Sequence, residues 1–382
     1  MSRTLAVAAL LASLLALTVQ PAQGSRFLKV GLYDESQTLY GPVDKTFPIL
    51  KALNTQVLRT NLYWGGRFGV ASGRPAHPAD PADPAYDWGL YDRLVDYAAQ
   101  YGIAVVFSVY GTPGWANGGK GLNAAPLKPL DLRNFAYAAA RRYSGTFPDA
   151  EGKPLPPVRR WLAWNEPNNP VFLAPQFRRA GSTWVVQSAV DYAKICNAVY
   201  SGVHGTLIAG EQVACGVTAP RGNNQPRSDR PSVSPVAFLR AAKKAGMKSF
   251  DAYAHHPYYG SNAEGPTTRP PQVRGADPTA VTLANIGTLI SEVTRLYGPK
   301  RIWITEYGYQ TNPPDALFGV SWAKQALYLK EAFAIARRNP RIDMMLWFLL
   351  KDEPTLGGWQ SGFYSAAGKR KPSFTAFQGL PR

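Results

Sequence analysis

The sequence predicts a single (β/α)8 barrel with elaborated loops at the carboxyl ends of its strands. Eight short runs rich in β-branched and aromatic residues recur along the chain, separated by segments with apolar residues at helical spacing. The length of 382 residues exceeds the roughly 250 that such a barrel needs, which leaves room for long loops. The first run ends Gly31-Leu32-Tyr33-Asp34, without the glycine-rich turn that an open doubly wound sheet carries at this point.

Residues 27–33 form the first expected strand, and residues 43–53 a helix in which Pro48 must sit in the first turns or break it. The second strand, 57–62, places Arg59 and Asn61 on one side under a period of two. A Pro/Ala/Asp-rich loop over 69–85 follows. Asp87 and the spacing of Leu90, Leu94, Val95 and Ala98 then mark a capped helix ending by Gly102. The third strand is 103–109, followed by a loop that carries Trp115 and a helix over 130–143. The fourth, 159–164, is bounded by Pro156, Pro157 and Pro167. Helix is expected over 183–203, a short fifth strand over 206–209 ending near Glu211, a long polar loop over 216–235 and helix over 236–245. The sixth strand, 250–254, runs into His255-His256-Pro257-Tyr258-Tyr259. A Pro/Gly-rich loop over 261–277, a helix over 280–297 and the seventh strand, from Arg301 to Thr305-Glu306, come next. A helix over 321–338, the eighth strand over 342–349 and a closing helix over 372–378 complete the pattern. No internal repeat and no Ser/Gly linker divides the chain, so residues 25–382 are expected to be one catalytic domain.

Residues 1–24 have the form of a secretory signal peptide: Arg3, an apolar run over 5–19, then small residues leading to Gly24. The destination this implies is secreted or periplasmic. No later run is apolar for long enough to anchor the chain in a membrane, so no stable insertion is expected. Formal charge is +17, from 42 basic and 25 acidic residues. The basic residues are scattered and no recognition-helix or finger signature accompanies them, which argues against nucleic acid and leaves an anionic glycan as a partner that the balance suits. Cys196 and Cys215 are the only cysteines, and export makes a disulfide the expected state, joining the helix before the fifth strand to the loop after it. They do not stand with the four histidines at a metal-binding spacing, and no metal is expected.

The chemistry concentrates at two strand ends. Asn165 and Glu166 arrive together where the fourth strand should stop, and Glu306 ends the seventh. Two carboxylates at the carboxyl ends of different barrel strands are the arrangement of a catalytic acid pair.

Trp164-Asn165-Glu166-Pro167 after one strand and Thr305-Glu306-Tyr307-Gly308 after a later one resemble glycoside hydrolase clan A, the retaining (β/α)8 glycosidases. Within the clan the chain is most similar to family 39 and its relatives, and more weakly to family 5. The resemblance implies Glu166 as general acid/base, Glu306 as nucleophile, and Tyr258 of His256-Pro257-Tyr258 as the phenol that orients Glu306. It also implies Arg59 as support for a catalytic carboxylate and Trp347 as a sugar platform on the eighth strand. Asn165 is expected to bind the hydroxyl beside the reacting carbon, Asn61 to touch sugar, and His256 to face the site while His255 packs elsewhere. Trp115 and Trp164, with Trp347, offer flat faces for pyranose rings. No cofactor is needed, since protein groups supply both nucleophile and acid. The expected reaction is cleavage of a β-linked oligo- or polysaccharide by double displacement, with an endo mode preferred and a monomer as the simplest state. Transglycosylation through the same intermediate and a non-catalytic carbohydrate-binding barrel are the alternatives; the presence of both glutamates counts against the second.

Export predicts that protein recovered from outside the cytoplasm begins near Ser25. Intact mass measurement checks this, and a mature product retaining residues 1–19 would overturn it.

Overall fold

A computed structural model describes residues 24–25, 27–271 and 278–382. Eight parallel strands close into a barrel: β1 (Lys29–Tyr33), β2 (Val57–Tyr63), β3 (Ala104–Tyr110), β4 (Arg160–Ala163), β5 (Gln212–Thr218), β6 (Ala252–His255), β7 (Arg301–Tyr307) and β8 (Ile342–Phe348). Each strand pairs with its neighbours in sequence, and β8 closes on β1 in a continuous register from Lys29 opposite Met344 to Tyr33 opposite Phe348. The predicted (β/α)8 architecture is the one observed. The segment read as a signal peptide lies outside the described residues except for Gly24. Among the described residues no helix is long and apolar enough to cross a membrane.

Strand alternation separates two packed layers. Val57, Val106, Leu162, Ala214, Ala252, Ala254, Trp303, Met344 and Leu346 point into the barrel, where the alanines leave the volume that the Trp303 indole fills. Gly31 belongs to the same economy of space: a Cβ there would lie 2.1 Å from the Val57 carbonyl oxygen. The alternate residues, such as Trp161, Tyr253, Ile302 and Trp347, face the surrounding helices and form the larger outer core.

Four expectations change in detail. The fifth strand is not 206–209. That stretch is a turn, with Leu207 at φ +60° and Gly210 at φ +83°, and the Thr206 hydroxyl donates back to the Val203 carbonyl at the end of helix Gln187–His204. The strand is Gln212–Thr218, whose Ala214, Cys215 and Gly216 are too small to register in a search for bulky β-formers. Residues 183–185 pair with 178–180 in an antiparallel hairpin instead of opening the helix. A 3-10 turn, Leu283–Asn285, set by a Thr282/Asn285 capping box, precedes helix Ile286–Tyr297. Pro48 lies inside helix Val43–Ala52 and does not end it.

Cys196 and Cys215 form a disulfide with Cα atoms 5.8 Å apart. Because β5 begins later than expected, Cys215 sits within the strand itself and the bridge fastens helix Gln187–His204 directly to the barrel wall. Closing a loop of 19 residues restricts the unfolded chain. Replacing both cysteines by alanine should therefore lower stability by about 2–4 kcal/mol, seen as a lower midpoint in denaturant, with a steeper slope as the unfolded chain expands. An unshifted midpoint would show that the bridge contributes nothing.

Candidate active site

The carboxyl end of β4 is built to turn side chains over. Trp164 has φ +75° and Glu166 φ +36°, both in the left-handed region that a non-glycine residue occupies only when its surroundings enforce it. Those surroundings are the Ser108 hydroxyl, which donates to the Trp164 carbonyl at 2.6 Å, and the Val217 carbonyl, which accepts from the Glu166 N–H at 2.8 Å. The turn buries the Trp164 indole, whose Nε1 donates to the Phe172 carbonyl, and leaves Asn165 and Glu166 in the barrel mouth.

At β7 a bulge does comparable work. Met345 of β8 pairs with Ile304 and Trp347 with Tyr307, so β7 inserts one extra residue between these pairs. Strict alternation would send Glu306 away from Thr305. The extra residue lets the Thr305 hydroxyl bond to His256 and the Glu306 carboxylate line the same cleft.

Arg59 joins the two ends. Fully buried, it donates through Nη1 to Glu306 Oε1 at 2.5 Å and to the Thr305 carbonyl at 3.2 Å, and through Nη2 to Asn165 Oδ1 at 2.6 Å. Its guanidinium also lies 4.4 Å from the centre of the Tyr33 ring. Burial pulls its pKa down, and the charge and hydrogen bond of Glu306, together with Tyr33 and Glu35, more than restore it.

His256, wholly buried, spans the pair. Its Nδ1 is 3.0 Å from Glu166 Oε1, and its Nε2 is 3.0 Å from the Thr305 hydroxyl and 3.2 Å from Arg59 Nη1. Burial lowers the imidazole to about 3, so it is neutral. Arginine only donates, which makes Nε2 the accepting nitrogen and places the ring proton on Nδ1, facing Glu166. Tyr258 donates its phenol to Glu306 Oε2 at 3.1 Å and is held protonated by burial and by the two nearby glutamates.

Burial raises Glu166 to about 7, opposed by the hydrogen bond from Asn169 Nδ2 at 3.1 Å and by the charges of Arg59 and Arg230. A raised pKa alone does not mark a site. Glu211 is also pushed to about 7 by burial, but it precedes β5 at the opposite end of the barrel and accepts from Trp161 Nε1.

An oxygen of Glu166, an oxygen of Glu306 and a ring nitrogen of His256 all lie within 4.8 Å of one another. Such a trio has the composition of a metal site, but Arg59 already occupies a lone pair of Glu306 and its positive charge opposes a cation there. The carboxylates open into a cleft of about 720 Å³. A smaller cavity of about 340 Å³, between helices Trp322–Arg338 and Pro372–Gln378, has no acid in its lining and so no catalytic pair.

Arg59, Asn61, Asn165, Glu166, His256, Tyr258 and Glu306 thus converge, Arg59 and His256 from beneath and the others on the cleft surface. Asn61 donates to the Tyr33 and Tyr63 phenols and keeps a buried Oδ1 with no partner, a free acceptor at the cleft. His255 points elsewhere, to the Thr218 hydroxyl and the Val281 carbonyl. The three tryptophans expected to line the cleft do not. Trp115 packs edge-on against Trp64 with Arg74 over its ring, and Trp164 is turned into the outer core. Trp347 has the parity of the outer layer; it stacks on Phe363 and donates to the Ser361 carbonyl. The aromatic surface comes instead from Phe348, one residue on, and from Trp359 in the loop after β8, which packs on Tyr258 and Phe348. Sequence reasoning also missed Tyr33, Tyr63, Asn169, Arg221 and Arg230. Of these, only Tyr33 at the end of β1 and Tyr63 at the end of β2 carried a positional signal.

No family model and no curated protein matches the chain. Among solved structures, it is similar to a family 39 glycoside hydrolase from the gut symbiont Bacteroides cellulosilyticus WH2, with 18% identity and a TM-score of 0.63 over 94% of this chain and 64% of that one. A glucosidase from Croceicoccus marinus (14% identity, TM-score 0.65, 94% and 68% covered) and a monomeric beta-xylosidase from Caulobacter crescentus CB15 (18%, 0.60, 94% and 69%) share the fold as well. The chain spans about two thirds of the length of these proteins, and at such identities the likeness is one of fold.

The electrostatics give a direct test. Carboxyl NMR of isotope-labelled protein should show Glu166 titrating near pH 7, protonated below that point, while His256 stays neutral through the same range. Asn169→Ala removes a bond that favours the carboxylate and should move the Glu166 midpoint upward. A Glu166 midpoint at the ordinary glutamate value would contradict this account of its burial.

Proposed function

We propose that the chain is a retaining β-glycosidase of clan A, nearest to family 39, that cleaves a β-linked oligo- or polysaccharide by double displacement. The observation that carries the reading is that an oxygen of Glu166 and an oxygen of Glu306 lie within 4.8 Å of one another, the first carboxyl raised by burial and the second bonded to Arg59. Carboxyl groups about 5–5.5 Å apart serve a covalent mechanism, whereas a gap of roughly 6.5–9.5 Å admits the water of an inverting one.

In the first step the Glu306 carboxylate, which accepts from Arg59 and Tyr258, attacks the anomeric carbon. The bond to the leaving oxygen breaks, and that oxygen takes the proton of Glu166. In the second, Glu166 removes a proton from water, the water oxygen bonds to the anomeric carbon, and the ester to Glu306 is released. The Nδ1–H of His256 donates to Oε1 and the Asn169 amide to Oε2, so both oxygens of the acid/base are oriented by a donor. A Glu166 pKa of about 7 suits both roles, since the group must donate and then accept near neutrality. Asn165, held by Arg59, and the free Oδ1 of Asn61 suit bonds to sugar hydroxyls.

An endo mode fits a cleft whose walls come from opposite sides of the barrel. Phe348 ends β8 and Trp359 follows it, while Asn169 and Phe172 follow β4, four positions around the ring, so an extended chain has surface on both sides of the scissile bond. Export fits a polymeric substrate. It also fits the Ser25 N–H, just past the expected cleavage point, which donates to the Arg337 carbonyl.

Substitution of each glutamate tests the roles. Glu306→Ala should abolish glycosyl-enzyme formation on an activated aryl β-glycoside. Glu166→Ala should lose most activity on poor leaving groups, by about 10²–10⁴-fold, and regain turnover with azide, giving a β-azide product. A labelled intermediate on Glu166, or one still formed by Glu306→Ala, would overturn the assignment; monosaccharide as the sole product from a polymer would overturn the endo mode.

A further inference from the structure

The loop after β5 gives the cleft a basic wall. Arg230 lines the cleft, is exposed, and has no carboxylate partner among the described residues. It is nonetheless presented by an ordered loop: the Asn223 side chain donates to the Arg230 carbonyl and the Ser228 hydroxyl and accepts from the Gln225 and Ser232 N–H groups. Beside it, Arg221 is held through Nη2 by Glu264 at 3.1 Å and packs so closely on Gly260 that a Cβ there would touch the guanidinium. Its Nε is buried and has no acceptor, which is costly for a group that can only donate.

Among the described residues, the only carboxylates lining the cleft are Glu166 and Glu306. Glu306 is matched by Arg59, and Glu166 is neutral below about pH 7. With Arg221 paired to Glu264, the charge of the wall that no carboxylate among the described residues pairs with is that of Arg230. Arg230 is also close enough to Glu166 for its charge to act on that carboxyl.

We infer that this wall is a leaving-group subsite for an acidic sugar, whose carboxylate or sulfate ester is held by Arg230, with the Arg221 guanidinium in the same wall. The side of the bond follows from the glycosidase reading, on which this inference rests: Glu166 protonates the departing oxygen, so the sugar against the β4 and β5 loops is the one that leaves. Phe172 and Pro220 supply apolar surface for its ring, and the guanidinium groups supply the donors that an anionic substituent needs. Arg230 is then a specificity-determining residue, and the basic wall selects acidic glycans by what they carry beyond the cleaved bond.

Three sugars matched in the ring, namely glucose, glucuronate and glucose 6-sulfate, separate the possibilities. Binding to the full chain is followed by NMR, and the same sugars serve as acceptors for the glycosyl-enzyme formed from an aryl β-glycoside. One or both acidic sugars should bind about tenfold more tightly than glucose, a size ordinary for one charge-assisted contact. That advantage should shrink in high salt, disappear in Arg230→Ala and return in part in Arg230→Lys. Preference for glucuronate alone assigns the subsite to uronic acids, and preference for both acidic sugars assigns it to anionic sugars in general. Equal behaviour of the three sugars, including no binding of any, overturns the inference, as does a preference that survives the Arg221→Ala/Arg230→Ala double variant. If aryl glycosides are not turned over but acidic sugars bind through Arg230, the glycosidase reading fails and the anion site stands; turnover without preference sinks the anion site alone.

Discussion

The structure depends most on the buried guanidinium of Arg59. A fully desolvated charge costs several kcal/mol unless it is paired and hydrogen-bonded. Arg59 meets that requirement only by bringing together groups from separate strands: Glu306 and the Thr305 carbonyl from β7, and Asn165 from the end of β4. The need to satisfy one charge therefore brings the Glu306 carboxylate and the Asn165 amide to the same place. It also dictates the state of His256, since a donor against Nε2 commits the ring proton to Nδ1 and so to Glu166. A Lys at this position would offer a point charge in place of a planar fork and could not hold both sides at once.

Around that charge, departures from regular backbone decide which side chains reach the cleft. Plain alternation carries Arg59, Asn61 and His256 inward from β2 and β6, and it carries Trp347 outward from β8. Glu166 and Glu306 arrive by exceptions, one through left-handed residues after β4 and the other through the extra residue in β7. A second irregularity, in β5 around Val217 at φ +48°, lets the Val217 carbonyl receive the Glu166 N–H. Each exception is strained or unpaired locally, and each is held by hydrogen bonds from neighbouring strands.

Trp347 shows how a side chain can serve a cleft without entering it. Its indole N–H, together with Gln325, holds the Ser361 carbonyl, and the buried Lys371–Asp352 pair, 2.7 Å apart, fixes the same loop through the Gln360 carbonyl and Gly362 N–H. The loop so fastened carries Trp359 over Tyr258. Across the mouth, the β5 loop is cross-linked by Asn223 and presents arginine. One wall is thus aromatic and the other cationic, an asymmetry suited to a substrate whose two halves differ.

Much of this was written in the sequence. Seven of the eight strand patterns survive because apolar periodicity is a local property, and Asn165-Glu166 and Glu306 stand out because polar residues at the ends of buried strands are rare unless they have work to do. Arg59, Asn61, His256 and Tyr258 could be placed by period and by the resemblance. The fifth strand escaped because its small residues are chosen to accommodate Trp303 and Tyr253, neighbours that no local window contains. The tryptophans misled for a related reason: an indole fits a sugar platform and a barrel's outer core equally well, and only the strand's parity and the left-handed turn at Trp164 distinguish them. Tertiary structure alone decided the separation of the carboxylates, the raised Glu166 pKa and the pairing state of each arginine, because distance, burial and partner are set by contacts among residues far apart in the chain.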